Sequence, residues 1–141
     1  MSLARAKPKR VILCGGSKAK IDPVIAAFNK EINASTQVDF VLIDMSGLDS
    51  VRSAVGTVAS LTATIDVLFA NAGVMCVPYS KTKQGVEMHF ATNHLGHFLF
   101  TNLLMPLLLA AEKAKVVITS STACNLRESP FDDIDWSVST V

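Results

Sequence analysis

The stretch IDVLFANAG, residues Ile65–Gly73, decides the fold predicted for this chain. Its first part, 65–70, is a short apolar run, and Asn71 and Gly73 close it. Such a run is typical of a strand that is buried on both faces of a parallel sheet and ends in a backbone turn. Open α/β sheets bind their ligands outside the carboxyl ends of the strands. The functional edge of the sheet is therefore predicted to include residues 71–73.

Strands and helices are predicted to alternate on either side of this stretch. Three further apolar runs bounded by turn residues are predicted strands: Arg10–Cys14, Val38–Ile43 and Lys115–Thr119. Three segments with apolar residues at helical spacing are predicted helices: Asp22–Asn33, Ser46–Thr62 and Gly85–Ala111. This alternation indicates the α/β class, with an open parallel sheet of about four strands and helices on both faces.

The ends and faces of the helices are also predicted from local sequence. Asp22 is expected to cap the first helix with Pro23 at its first position, and Ser46 or Asp49 is expected to start the second helix. Pro106 is expected to bend the third helix or end it early. The residues of the third helix that share one apolar face are Met88, Ala91, Leu95, Phe98, Leu99 and Leu103.

Size and composition indicate one domain and exclude several classes of function. The chain has 141 residues, half of them apolar, and a formal net charge of +1. One domain over residues 1–141 is expected, with an irregular polar tail at 125–141. Basic residues cluster only in the short head formed by Lys7, Lys9 and Arg10, which is expected to be a solvated terminus. No nucleic-acid partner is therefore expected.

The apolar segments and cysteines favour a cytoplasmic protein without a membrane partner. The longest apolar run, Phe98–Ala111, is interrupted by polar residues and proline, and it is shorter than the roughly 20 residues that span a bilayer. The apolar run that follows the basic head is too short for a signal peptide. Three widely spaced cysteines, Cys14, Cys76 and Cys124, are expected to be reduced core thiols.

Several spaced motifs resemble the short-chain dehydrogenase/reductase family, in its retinol-dehydrogenase-like branch. Phe69–Val74 resembles that family's Asn-Asn-Ala-Gly strand end, with Ala70 in place of the first Asn, and Asn93–Phe98 resembles its Asn-bearing active-site helix. Pro78–Thr82 and Gly85–His89 are similar to the retinol-dehydrogenase-like branch. The resemblance covers most of the chain from about Val38. It implies a truncated Rossmann-like sheet that lacks the family's C-terminal part.

The resemblance is incomplete near the amino terminus. Cys14–Lys18 resembles the first half of the family's Thr-Gly-x-x-x-Gly-Ile-Gly turn, but the second and third glycines of that turn are absent. An ordinary strand-to-helix turn is therefore an alternative interpretation of these residues. About 25 residues, one helix and one strand, are missing before Asp44 on the usual size of a βαβ repeat. We hypothesise that strand Val38–Ile43 pairs directly with strand Arg10–Cys14, which would place Asp44 where the family grips the adenosine ribose.

The resemblance implies an NAD or NADP site at the strand ends. The residues it assigns to the cofactor are Gly15, Gly16, Ser17, Lys18, Asp44, Met45, Asn71, Ala72 and Gly73. Lys18 lies where some family members place a basic residue beside a 2′-phosphate, which favours NADP, although a solvated lysine accounts for it equally well. A metal site at His89, His94 and His97 is not expected, because no carboxylate or thiol is suitably spaced to complete it.

The implied chemistry is hydride transfer between a nicotinamide and a small-molecule alcohol or carbonyl. Ser121 matches the family's carbonyl-holding serine, and Asn93 matches its proton-relay asparagine. The family's Tyr-x-x-x-Lys pair should follow Ser121, and none does; Tyr79–Lys83 fits the spacing but precedes Ser121 in a predicted loop. The shortened chain is therefore expected to be inactive alone.

A non-catalytic remnant is the alternative. It would dimerise with itself or with a full-length relative through helix 85–111, although burial within one domain accounts for the apolar character of that helix equally well. A shortened product without a stable role is a third reading.

Overall fold

The computed structural model describes residues 6–31, 36–122 and 131–133, and they form a small α/β arrangement. Its strands are β1 (Arg10–Gly15), β2 (Gln37–Leu42), β3 (Val67–Ala70) and β4 (Lys115–Ile118). Its helices are α1 (Lys18–Glu31), α2 (Leu48–Leu61), α3 (Met88–Phe90), a π-helical turn (Ala91–Leu95) and α4 (Gly96–Leu109), followed by a 3₁₀ turn (Phe131–Asp133). The predicted α/β class and the four strands are confirmed.

The strands form two parallel pairs. β1 pairs with β2 from Arg10↔Gln37 to Gly15↔Leu42, and β3 pairs with β4 from Val67↔Lys115 to Ala70↔Ile118. Direct pairing of the first two strands was predicted and is confirmed. In the part of the chain that the structure describes, no ladder joins one pair to the other, so the expected continuous sheet is interrupted between them.

Helices cover both faces, as predicted. α1 packs on the face of β1 where Gly15 lies, since a Cβ atom added to Gly15 would approach the Ile21 side chain to 3.3 Å. α2 packs against the opposite face, where Val41 is buried. α4 packs beside α2 on that same side and covers Leu68 of β3.

The apolar core lies between α2, α4 and the strands beneath them. Its buried members are Val41, Ile43, Met45, Val51, Ala54, Val58, Leu68, Phe100, Leu104 and Leu108. A fully buried aliphatic side chain contributes about 1.5–3 kcal/mol relative to an exposed one. Because the two strand pairs share no backbone hydrogen bonds among the described residues, this core is what holds them together.

The starts of the first two helices differ from the prediction. α1 begins at Lys18, so Asp22 does not cap it, and Pro23 lies inside the helix. The turn at 16–17 already starts the helix, and Asp22 instead forms an ion pair with Lys18 at 2.7 Å. α2 begins at Leu48 after Gly47, which makes no side-chain capping bond, so neither predicted start is correct.

The buried face of the third predicted helix is also different. The buried residues are Ala91, Thr92, Gly96, Phe100, Leu104 and Leu108, whereas Phe98 is 62% exposed. Of the predicted face, Ala91 is buried and Leu99 packs against the core, but the π-helical turn at 91–95 adds a residue to one turn and shifts the later buried positions by one residue. Pro106 does not end the helix early, because α4 continues to Leu109.

The remaining expectations concern thiols, membranes and the tail. Cys76 is exposed, so it is not a core thiol. Cys14 has an exposed surface, but burial raises the pKa of its thiol to about 11. Cys124 lies outside the described residues. None of the helices in the described segments has the length and hydropathy that a membrane crossing requires. The segment expected to be irregular contains the 3₁₀ turn at 131–133, and its other residues from 125 onward lie outside the described ones.

Candidate functional site

The carboxyl ends of the first two strands meet the start of α4. The Ile43 N–H donates to the Gly15 carbonyl at 3.1 Å, which keeps the ends of β1 and β2 together. Two residues further, the Met45 carbonyl touches the backbone of Gly96 so closely that a Cβ atom at Gly96 would collide with it. Glycine at this position therefore permits α4 to begin directly against the end of β2.

The carboxyl ends of the last two strands meet the same part of α4. His97 Nε2 donates to the Ala72 carbonyl at 2.7 Å, which ties the end of β3 to the first turn of α4. The Thr119 hydroxyl donates to Asn71 Oδ1 at 2.9 Å and links the end of β4 to the end of β3. All four strand ends are thus connected along one edge, which we call the strand-end edge (residues 15–18, 43–47, 71–74 and 119–121).

Asn93 holds the loop after β3 in place. Its Oδ1 accepts from the Val74 N–H at 2.8 Å, and its Nδ2 donates to the Val74 carbonyl at 2.9 Å. The π-helical turn places Asn93 over this loop, and a Cβ atom added to Gly73 would lie 3.1 Å from Asn93 Oδ1. The side-chain amide that was predicted to relay protons is therefore engaged in positioning residues 73–74.

The turn after β1 does not use the special conformations of glycine. Gly15 ends β1, Gly16 and Ser17 form the turn, and among the described glycines only Gly85 has a positive φ, of 80°. A Cβ atom at Gly16 would meet only the Ile43 carbonyl at an ordinary 3.5 Å. Lys18, the first residue of α1, pairs with Asp22 rather than projecting unpaired toward a phosphate.

Asp44 organises the loop after β2. Its Oδ1 accepts from the Ser46 N–H at 2.9 Å and from the Ser46 hydroxyl at 2.7 Å, and its own N–H donates to the Ser50 hydroxyl at 2.8 Å. These bonds form the turn that precedes α2. The hypothesis that Asp44 replaces the ribose-binding residue depends on the pairing of β2 with β1. That pairing is present, and the position of Asp44 at a ribose stays a prediction.

A cavity of about 420 Å³ lies beside Asp44. It is lined by Asp44, Ser46, Gly47, Asp49, Lys81, Thr82, Lys83, Gln84 and Met88. Sequence reasoning did not assign the lysines of this cavity to a site, since their segment was predicted only to be a loop. The only available signal was two lysines in a Ser/Thr/Gly-rich loop, which is too general to locate a site. Asn71, Asn93 and Ser121 do not line this cavity.

A buried carboxylate caps the helix that follows the loop with these lysines. Glu87 is 4% exposed, and it caps α3 by accepting from the Phe90 N–H at 2.8 Å, while its other oxygen lies 2.8 Å from His89 Nδ1. Burial acts to raise the pKa of Glu87. Backbone bonds from His89 and Phe90, together with the His89 ring, outweigh this effect and leave the pKa below its usual value.

The remaining predicted catalytic residue lies after β4. Ser121 is exposed and follows Thr119, the residue that bonds Asn71 and that sequence reasoning did not single out. The described residues contain no group of three or more histidine, cysteine or carboxylate side chains placed to hold a metal.

The sequence model of the family described as short chain dehydrogenase matches residues 2–131. The chain is 37% identical to polyprenol dehydrogenase of Homo sapiens over 131 residues, 90% of this chain and 39% of that protein. It is 42% identical to retinol dehydrogenase 14 of Mus musculus over 93 residues, 66% of this chain and 28% of that protein. The chain thus spans well under half the length of these relatives.

Solved structures show the same fold. A protein of Mycobacterium paratuberculosis, 29% identical, superposes with a TM-score of 0.66 over 94% of this chain and 53% of its own. A short-chain dehydrogenase of Escherichia coli CFT073, solved with NADPH and 22% identical, gives a TM-score of 0.66 over 90% of this chain and 52% of its own. By its motifs, its parallel α/β fold and the match over residues 2–131, the chain belongs to the short-chain dehydrogenase family, among its retinol-dehydrogenase-like members.

Proposed function

We propose that this chain is a shortened NAD(P)-dependent oxidoreductase that binds nucleotide at its strand-end edge and does not complete hydride transfer alone. The observation that supports this most directly is the hydrogen bond from Thr119 to Asn71, two residues before Ser121. It joins the strand ends that the family uses for nicotinamide and substrate. The substrate of the complete reaction is a small-molecule alcohol or carbonyl compound, as in the family.

The expectation that residues 1–141 do not turn over alone rests on the position of their one tyrosine. Tyr79 is the only tyrosine of the chain, and residues 79–83 form a loop with a turn rather than a helix. The spacing of Tyr79 and Lys83 therefore does not place them on one helical face. A general acid has to reach the reacting oxygen, and a serine hydroxyl is intrinsically a much weaker acid than a lysine-activated tyrosine.

The cavity beside Asp44 supports a place for the adenosine end of the nucleotide. In an intact member of the family, the Asp at this strand end lies near the adenine, and here Lys81 and Lys83 line the same cavity as Asp44. Ammonium groups bind the 2′-phosphate that distinguishes NADP from NAD. The proposed preference for NADP rests on these two lysines, because both line the cavity beside Asp44.

Nucleotide titration tests the binding half of the proposal. NADPH and NADH are titrated into the chain while nucleotide fluorescence is followed. We expect saturable binding of both, with NADPH the tighter, and Lys83→Ala should bring the two affinities together. Lys20→Ala, which removes an exposed lysine of α1 that does not line the cavity, is the matched control. If neither NADPH nor NADH binds, the proposed nucleotide binding is wrong.

A turnover assay tests the catalytic half. The chain is supplied with NADP⁺ or NADPH and with short-chain alcohols, aldehydes and a retinoid, and absorbance of the reduced nucleotide is recorded. We expect no turnover above background. Rates of about 1 s⁻¹ or more, which are ordinary for enzymes, would refute the proposal.

A second candidate function is dimerisation through the outer face of α4. Phe98 is 62% exposed and Leu109 is 77% exposed, and Met105 lies between them on the same helical face. Large apolar side chains that share one exposed face are typical of an interaction surface. Sedimentation that shows a stable dimer, with no nucleotide binding, would favour this candidate.

A further inference from the structure

The segment before α3 folds back on itself as a short hairpin, which we call the lysine hairpin (residues 80–88). The Thr82 N–H donates to the Val86 carbonyl at 2.8 Å. One residue further from the turn, Lys81 and Glu87 pair as an antiparallel bridge. Because the Glu87 side chain also caps α3, the hairpin continues directly into that helix.

A tight turn closes the lysine hairpin. The Gly85 N–H donates to the Thr82 carbonyl at 2.9 Å, so Lys83 and Gln84 are the central residues of the turn. Gly85 follows them with a φ of 80°. A turn followed by a residue in the left-handed region is a common way to close a short hairpin, and that conformation favours glycine. The tip of the hairpin therefore consists of Lys83 and Gln84.

Two segments line the cavity beside Asp44. One is the lysine hairpin, and the other is the loop after β2 together with the start of α2. Both tip residues, Lys83 and Gln84, are exposed and line the cavity, so the tip of the hairpin borders it directly. The hairpin contributes Lys81, Thr82, Lys83, Gln84 and Met88, and the other segment contributes Asp44, Ser46, Gly47 and Asp49.

The two segments carry charges of opposite sign. Lys81 and Lys83 bring ammonium groups to the cavity, whereas Asp44 and Asp49 bring carboxylates. Ammonium groups attract a phosphate, and carboxylates accept hydrogen bonds from hydroxyl and amino groups. An adenosine with a phosphate on its ribose carries groups of both kinds. It therefore fits this distribution of charge better than a ligand that is only anionic.

We propose that the tip of the lysine hairpin selects the nucleotide: Lys83 binds the 2′-phosphate, and the charge at position 84 beside it sets the preference. This inference rests on the proposed nucleotide binding and adds the residue that distinguishes NADPH from NADH. Gln84 is neutral and exposed, and it follows Lys83 in the turn. A charge introduced at Gln84 therefore acts on the phosphate without disturbing the core. Gly85 is the positioning residue, because it sets the conformation of the turn.

Charge substitutions at the tip test this selection by titration of NADPH and NADH. We expect Gln84→Glu to weaken NADPH binding about fivefold and Gln84→Lys to strengthen it by about the same factor, because a unit charge close to a phosphate at a protein surface has an effect of that order. NADH lacks the 2′-phosphate, so its affinity should change by less than about twofold. Ala59→Glu, at an exposed position of α2 outside the cavity, is the control for net charge. Equal NADPH affinities of the wild-type protein and both Gln84 variants would overturn the inference.

Adenosine 2′-monophosphate and adenosine 5′-monophosphate show which phosphate the tip contacts. Both are titrated into the wild-type protein and Gln84→Glu, and binding is measured by calorimetry. We expect the substitution to weaken binding of the 2′-monophosphate alone, and equal weakening of both would contradict the inference. If the wild-type protein binds neither NADPH nor the 2′-monophosphate, the proposed nucleotide binding is itself wrong. If it binds NADPH and the Gln84 variants bind equally well, only the assignment to the hairpin tip is wrong.

A matched pair of substitutions at Gly85 tests the positioning role. A Cβ atom there would have nothing within 4 Å, so only the backbone conformation opposes a side chain. Alanine disfavours a positive φ, whereas asparagine adopts it more readily. We expect Gly85→Ala to lower the ratio of NADPH to NADH affinity at least about twofold, because the turn is formed in a smaller fraction of molecules. Gly85→Asn should retain most of the preference, and equal effects of the two substitutions would contradict the role of Gly85.

Discussion

Gly96→Ala is expected to separate α4 from the end of β2. Gly96 is buried, and its backbone touches the Met45 carbonyl at the point where a Cβ atom would stand. A backbone carbonyl cannot rotate away as a side chain can, so α4 or the loop after β2 has to move. That movement disturbs the packing of α2 against α4, the contact that holds the two strand pairs together.

The expected magnitude combines two opposing effects. Alanine is favoured over glycine inside a helix by about 0.5–1 kcal/mol. Inserting a methyl group into a closely packed site costs about 1–3 kcal/mol, and contact with backbone is expected to lie at the upper end of that range. The net loss of unfolding free energy is therefore about 2 kcal/mol. For a chain of this size such a loss lowers Tm by roughly 4–8 °C.

Urea unfolding followed by circular dichroism measures this loss. Gly56→Ala is the matched control, because Gly56 is an exposed glycine inside α2 and a Cβ atom there would have nothing within 4 Å. The control should gain about 0.5–1 kcal/mol from helix propensity alone. If Gly96→Ala is as stable as Gly56→Ala, then α4 does not begin against β2, and the described connection of the strand ends is incorrect.

Three further predictions concern single side chains. Asn93→Ala should lower the free energy of unfolding by about 1–2 kcal/mol, because its two hydrogen bonds to Val74 are lost. Urea unfolding measures this loss, and Asn102→Ala, which removes one hydrogen bond within α4, is the control. Glu87→Gln should make the free energy of unfolding depend less on pH in the acid range. The pKa of Glu87 is lowered in the folded state, so the carboxylate stabilises the fold above the unfolded pKa of about 4.3. The wild-type protein loses this contribution as the pH falls through the lowered value, whereas the variant has none to lose. An unchanged pH profile would show that Glu87 is not held as a carboxylate. Phe98→Asp should abolish any dimer seen by sedimentation and leave folding unchanged, since Phe98 is already exposed; a dimer that persists would exclude the outer face of α4.

Much of the fold could be predicted because buried parallel strands have a strong local signal. The apolar runs at Arg10–Gly15 and Val67–Ala70 end at turn residues, and both are strands within one or two residues of the prediction. Helix ends were less predictable. The pattern Asp22-Pro23 is a usual helix start, but the turn at 16–17 starts α1 one turn earlier, and the helix tolerates Pro23 inside it.

The loop contacts of the site and the exposed position of Phe98 depend on long-range contacts. A π-helical turn is set by packing and hydrogen bonds around Asn93, so the helical period gave no warning that Phe98 would face solvent. The roles of Asn93 and Asp44 as loop-forming residues depend on Val74 and on Ser46 and Ser50, and which of these bonds form follows from the backbone path. Motif order identified the family and the strand-end edge. It could not show that the sheet is interrupted beside β1.

Backbone amide chemical shifts recorded during titration with NADPH test the strand-end edge most directly. The account predicts that the amides of residues 44–47 and 71–74 shift together along one saturation curve, while those at the amino ends of β1 and β3 stay unchanged. Shifts confined to one of these two loops, or located at the opposite ends of the strands, would contradict a single nucleotide site at the strand-end edge.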